Sequence, residues 1–267
     1  MFLLSGQFGG EHAIKPTKQP PIADWNTGDM SLLEDLWARA STSTPVPDAT
    51  VLVASALVAL ACVLVAWPAV RMVVTVCHEA GHAVMATLCG RSLKGIRLHS
   101  DTSGVTLTRG KPTGAGMVFT LLSGYPAASV VGLAAAAVAG TGHAVAVLWL
   151  LVGLLALMLL KIRNVYGAVV VLFLGGVLGA GTWFIPVDVL AWIAYGLAWL
   201  LLLAGPRPVI ELALSRAGTP SSSDAAQLAR LTRIPQVVWI VLWLAVTVAT
   251  LIIGTALMLP GTIPGLG

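Results

Sequence analysis

The chain of 267 residues is 57% apolar and only 10% charged, with 15 Lys and Arg against 11 Asp and Glu and a net charge of +4. An ordinary soluble domain carries about 25% charged residues, so this composition excludes a soluble globular enzyme. The mean hydropathy of +0.92 puts most of the chain in a lipid bilayer, where a basic excess reads as cytoplasmic loops and not as a nucleic-acid surface.

Residues 1–50 read as a largely flexible polar tail, with Lys15, Lys18 and several prolines followed by a Ser/Thr/Pro-rich stretch from Ser41 to Asp48. Within it, Ser31 to Glu34 has the form of a capping box, and Leu32, Leu33, Leu36 and Trp37 fall on one face of a short helix. That helix either lies on the membrane surface or frays. No signal peptide is expected, because the apolar run Met1 to Leu4 is far shorter than an h-region of about 7 to 15 residues.

From Val51 onward, apolar runs match the roughly 17 to 25 helical residues that cross a hydrocarbon core about 30 Å thick. Seven are counted, at 51–67, 70–89, 114–139, 143–160, 165–183, 187–204 and 236–259, followed by a short tail at 260–267. Trp67-Pro68, an interface aromatic followed by a helix breaker, divides the first two. Seven spans put 14 of the 15 basic residues on one face, with Arg71 alone opposite. The N-terminus is then cytoplasmic and the C-terminus outside. Between the second and third spans, Gly95 to His99 and Gly104 to Arg109 alternate apolar and polar residues around Ser100-Asp101-Thr102-Ser103, a hairpin signal. The predicted fold is thus an all-α polytopic membrane protein of about seven transmembrane helices, with a small β-hairpin after the second. Cys62, Cys77 and Cys89 all sit in apolar runs and are odd in number, which leaves neither a disulfide framework nor a four-cysteine zinc site.

The chemistry lies in the second span, at His78-Glu79-Ala80-Gly81-His82. Histidines at i and i+4 share a helix face and can hold one zinc ion, with the adjacent glutamate in reach of a water on the metal. Composition alone yields H-E-x-x-H in a chain like this about once in a thousand, and the motif has a known metal-binding mechanism. Ionisable residues inside a span mark a functional site by default. Catalytic zinc takes three protein ligands and an open position. Candidates for the third on the basic side are His99, Asp101, Glu211 and Asp224. Asp224 has a competing use, because an Asp followed three residues later by Gln227 is also a helix-capping pattern.

Together with Gly124-Tyr125-Pro126 in the third span and Ser223-Asp224-Ala225 before the last, the H-E-A-G-H motif resembles the site-2 protease family of intramembrane zinc metalloproteases, in particular a smaller bacterial branch. The resemblance brackets most of residues 70–245. It implies one zinc ion per chain with His78, His82 and Asp224 as ligands and Glu79 as general base. It departs from the better-known members in lacking Leu-Asp-Gly around the third ligand. It further implies a multi-pass protein of a bacterial cell membrane whose partners are the bilayer and a membrane protein substrate, with no nucleic acid and with any regulatory membrane partner left open. In this light the hairpin offers a strand edge to an unwound substrate, with Ile96, Leu98, Val105 and Leu107 as candidate substrate contacts. Asn164 either bonds the reacting carbonyl or only reflects interface polarity. Pro126 should open or kink its helix, and Gly175, Gly176, Gly179 and Gly181 are expected to permit close helix packing. The expected activity is hydrolysis of a membrane-spanning or membrane-associated protein near the cytoplasmic face. A metal transporter or an inactive helix-binding relative is the alternative, against which stands the concentration of polar residues on one span.

Overall fold

The structure, a computed structural model, describes residues 30–215 and 222–259, with side chains from residue 34 onward. The Ser31 side chain of the expected capping box and most of both tails lie outside the described residues. The chain divides into one unit, Met1–Trp37, and a second, Ala38–Gly267. Helix α1 (Met30–Ala40) covers the short helix expected there and runs through that boundary.

Elements α2 (Ala49–Val65) and α3 (Trp67–Leu88) bend by 100° at Ala66. Pro68 stands in the first turn of α3, where its missing N–H breaks no helical bond. Strands β1 (Ser92–Leu98) and β2 (Gly104–Arg109) form the expected antiparallel hairpin, with Ile96 opposite Thr106 and Leu98 opposite Gly104. The third apolar run is two helices, α4 (Ala115–Leu122) and α5 (Ala127–Gly140), bent by 67° at the Gly-Tyr-Pro break. The chain continues as α6 (Ala144–Leu159), α7 (Val165–Phe184), α8 (Val187–Ala204), α9 (Pro206–Ala213), α10 (Asp224–Thr232) and α11 (Gln236–Met258).

The main core joins α2, α5 and α8 through small side chains. Ala135, Ala136 and Ala139 of α5 meet Ala194, Ala198 and Leu202 of α8, with Leu52 of α2 beside them. Small residues let helices approach closely in lipid, where packing replaces the hydrophobic drive. Tyr195, buried in this layer, donates its hydroxyl to Ala139 O at 2.9 Å. Of the four α7 glycines expected to permit close packing, only Gly175 faces a neighbouring helix, at an ordinary 3.8 Å from Leu155 Cβ, whereas a Cβ at Gly176 or Gly179 would meet nothing within 4 Å and one at Gly181 only Ile185.

The seven-span count is not reproduced. Val165–Phe184, Val187–Ala213 and Gln236–Met258 are each long and apolar enough to cross a membrane, and two more stretches join them if each bent pair is one span. Helix α6 is shorter, at 16 residues. Alternation over seven spans would put residues 71 and 211 on opposite faces, yet Arg71 Nε lies 4.0 Å from Glu211 Oε2. It would also separate residues 39–44 from 142 and 182. Instead Thr44 N donates to Gly142 O at 2.7 Å, and Arg39 Nη1 donates to Thr182 O at 3.2 Å. The chain turns through 100° between α2 and α3, and this brings the first turns of α3 level with the end of α8 and with Glu211 of α9.

Candidate metal centre

Helix α3 carries His78 and His82 one turn apart, rings edge to face with centroids at 4.5 Å. Their Nε2 atoms are 3.0 Å apart, and Asp224 Oδ2 stands 3.2 Å from each. A tetrahedral zinc ion with ligand bonds of about 2.0–2.1 Å separates its ligand atoms by about 3.3 Å. The three atoms thus form a nearly equilateral triangle of the right size and the right chemistry for one face of such a site. Among the described residues, no other set of three His, Cys, Asp or Glu offers a metal-sized cluster.

Each ligand is aimed by its surroundings. His82 Nδ1 lies 2.6 Å from Thr120 O, and a carbonyl only accepts, so the proton sits on Nδ1 and the Nε2 lone pair faces the triangle. Asp224 opens α10 but does not cap it. Ser223 does, accepting from Ala226 N at 3.2 Å, while the Gln227 amide turns back to Ser222 O. The capping role weighed for Asp224 thus falls one residue earlier, and its carboxylate is left for the histidines.

The break between α4 and α5 roofs the site. A Cβ at Gly124 would stand 2.5 Å from His82 Cε1 and 2.7 Å from His78 Cε1, so only glycine lets this backbone cross both imidazoles. Tyr125 sets its ring edge to face against His78 at 5.0 Å and stacks on Trp243 at 4.5 Å. Trp243 Nε1 in turn donates to Leu122 O at 2.9 Å, which ties α11 to the roof.

Glu79, 3% exposed, receives the Thr106 hydroxyl on Oε2 at 2.6 Å. Gly104 packs so tightly that a Cβ there would come within 2.6 Å of Glu79 Cγ. Strand β2 therefore shoulders the glutamate. His78, Glu79 and Asp224 share the wall of one cavity of about 440 Å³ with Gly104, Arg71 and Glu211.

The family comparison covers this whole arrangement. A family model described as peptidase M50B-like matches residues 49–254, from the first residue of α2 into the last turns of α11. The chain belongs to the peptidase M50B-like family, of the site-2 protease group. No curated protein and no solved structure matches it. Membership makes this a metallopeptidase family fold, and the metal-sized triangle lies inside the matched region.

The hairpin of this M50B-like chain differs from expectation. Ile96 and Leu98 are 1% and 0% exposed, packed under the hairpin with Met72, Val76 and Ile162, so they are core and not substrate contacts. Val105 and Leu107 are 39% and 40% exposed. The outer edge of β1 is also taken, since Ile96 N donates to Lys161 O at 2.8 Å and accepts through its carbonyl from Arg163 N at 2.9 Å. Asn164 extends that pairing, its amide donating to Leu98 O at 2.6 Å and accepting from Leu98 N at 3.2 Å. Its side chain fastens β1 and is not directed at a reacting carbonyl. Because Ile96 turns its backbone groups away from β2, its opposite number Thr106 does the same, and the unpaired edge among the described residues is that of β2.

Of the other ligand candidates, His99 and Asp101 belong to the hairpin turn. Asp101 accepts from Ser103 Oγ and N, which hold its carboxyl below the usual range. Glu211 pairs with Arg207 at 3.5 Å and with Arg71. Thr106, Gly104, Thr120 and Trp243 escaped the sequence reading. A threonine in an alternating strand and one tryptophan among nine carry no signal of their own.

Proposed function

We propose that the chain is an intramembrane zinc endopeptidase that hydrolyses peptide bonds of membrane-spanning or membrane-associated proteins near the cytoplasmic face, in the manner of regulated intramembrane proteolysis. The observation that carries this reading is the 3.0–3.2 Å triangle of His78, His82 and Asp224 beside a buried glutamate on the same helix. These three residues would hold one zinc ion. Bound there, zinc would supply Lewis acidity toward the scissile carbonyl and toward the attacking water.

Glu79 takes the proton of that water and passes it to the leaving amine. Thr106, donating to Oε2, fixes the carboxylate rotamer and leaves Oε1 for the proton. The substrate, unwound, lies along the open edge of β2, where main-chain hydrogen bonds replace those of its helix and Val105 and Leu107 meet its side chains. An extended chain held there passes beside Glu79, because Gly104 and Thr106 of the same strand touch that residue.

For the membrane we infer six crossings, by α2, the α4–α5 pair, α6, α7, α8 and α11, with α3 entering the basic face without crossing. The bonds from Thr44 to Gly142 and from Arg39 to Thr182 support this count. It gathers Arg71 with the hairpin, residues 161–163 and 207–233 on the cytoplasmic side, and it leaves residues 39–44 and 258 together on the other. A reporter fused at Met1 and one fused at Gly267 should then both be non-cytoplasmic. A cytoplasmic reporter at Met1 would restore an odd count.

The reaction is tested with purified protein and single-span fluorescent probes. Cleavage should stop with a zinc chelator and return with zinc, and Glu79→Gln should keep one zinc per chain while cleavage falls by several orders of magnitude. Wild-type turnover in Glu79→Gln would exclude the mechanism, and zinc binding without cleavage of any probe would favour metal transport or an inactive helix binder.

A further inference from the structure

The catalytic cavity has a second charged feature on the wall away from the ligand triangle. Beside that wall, outside the cavity lining, Arg207 is fully engaged, its guanidinium over the Trp67 ring at 4.1 Å, bonded to Val63 O and paired with Glu211 Oε1 at 3.5 Å. Arg71 is not. Its Nε approaches Glu211 Oε2 only to 4.0 Å, its side chain is 49% exposed, and among the described residues its terminal Nη donors have no hydrogen-bond or ion-pair partner. Two guanidiniums thus share one carboxylate, and the cation left under-neutralised is the one that lines the cavity with His78 and Glu79.

Arg71 and His78 are seven residues apart on α3, so they share a helix face and are separated by about 10 Å along its axis. The arginine side chain leans toward the helix N-terminus, away from His78. An extended peptide advances about 3.3 Å per residue, so a chain reacting at the metal triangle passes Arg71 about three to five residues from the scissile bond. Resting on the proposed peptidase reading, we infer that Arg71 is a specificity residue that receives a carboxylate of the substrate, an Asp or Glu side chain three to five residues from the cleaved bond. A planar guanidinium with two unused donors suits bidentate pairing with a carboxylate, and Glu211 holds it in place without neutralising the pair of arginines.

The test uses one cleaved single-span fluorescent probe, reconstituted with the zinc-loaded protein in vesicles, with Asp, Asn or Lys set in turn at each position three to five residues on either side of the cleaved bond. At one position Asp should exceed Lys in kcat/KM by tenfold or more, chiefly through KM, and Arg71→Gln should reduce that preference to within twofold. Arg71→Glu should invert it in favour of Lys, which loss of a structural ion pair would not do. Binding of the same probes to the Glu79→Gln protein, read by fluorescence anisotropy, should show the same order. Equal handling of Asp and Lys probes at every position by the wild-type protein, in cleavage and in binding, would overturn the inference, as would an Arg71→Glu protein that retains the acidic preference. Acidic preference in binding without cleavage of any probe by wild type would leave the carboxylate subsite standing and remove the peptidase reading instead.

Discussion

The layer between α2, α5 and α8 and the centre where α3, the α4–α5 break and α10 meet are both buried, but they are specified differently. In the layer, alanines and leucines fill space by volume, and Tyr195 bonding Ala139 O is a single polar contact within it. At the centre nearly every atom has one permitted partner. Gly124 leaves no room over the imidazoles, Thr120 O fixes a tautomer, and Gly104 and Thr106 confine Glu79. A packed layer tolerates swaps that conserve volume, whereas a ligand set tolerates only those that conserve geometry and charge. The contrast predicts which substitutions abolish function and which only soften the fold.

The largest effects belong to the histidines. His78→Ala and His82→Ala should each lose the metal and with it all cleavage, read as zinc per chain after gel filtration. Next come the confining residues. Gly124→Ala drives a methyl into both imidazoles and should weaken zinc binding about 10- to 100-fold, the range expected when the groups that orient ligands are disturbed. Thr106→Val should leave zinc in place yet slow turnover, because Glu79 loses the hydroxyl that orients it, so zinc content and rate separate the two variants. In the layer, Tyr195→Phe should cost about 1 kcal/mol of stability with unchanged zinc, measured by thermal unfolding in detergent. The smallest effect is expected in α7, where Gly176→Ala meets open space and should be neutral or stabilise by up to about 1 kcal/mol. A marked loss there would revive close packing through the α7 glycines.

The motif on α3 was legible because two ligands and a base one turn apart leave a local trace, and the hairpin because its alternation is local too. The limits of α6, α7, α8 and α11 also followed from hydropathy. What length and apolarity do not encode is direction. A run of apolar residues that turns through 100° after Ala66 reads the same as one that crosses, and the stray basic residue Arg71 was the only sign that the alternation failed there. The hairpin posed a similar problem. Both strands alternate, so which one turns its apolar face inward depended on residues 161–164, too short a stretch to read as a strand. Asp224 was legible as a polar residue at a helix start but not as ligand over cap, until Ser223 was seen in the capping position.

Asp224 is also where the metal centre is most exposed to refutation, since the two histidines are expected to bind zinc on motif grounds alone. Asn matches Asp in size and caps a helix as well, so Asp224→Asn preserves shape and removes only the anionic ligand. Zinc content measured on this variant beside the wild type should fall well below one ion per chain, with cleavage lost in parallel. One full zinc per chain with undiminished cleavage in Asp224→Asn would contradict the three-residue site.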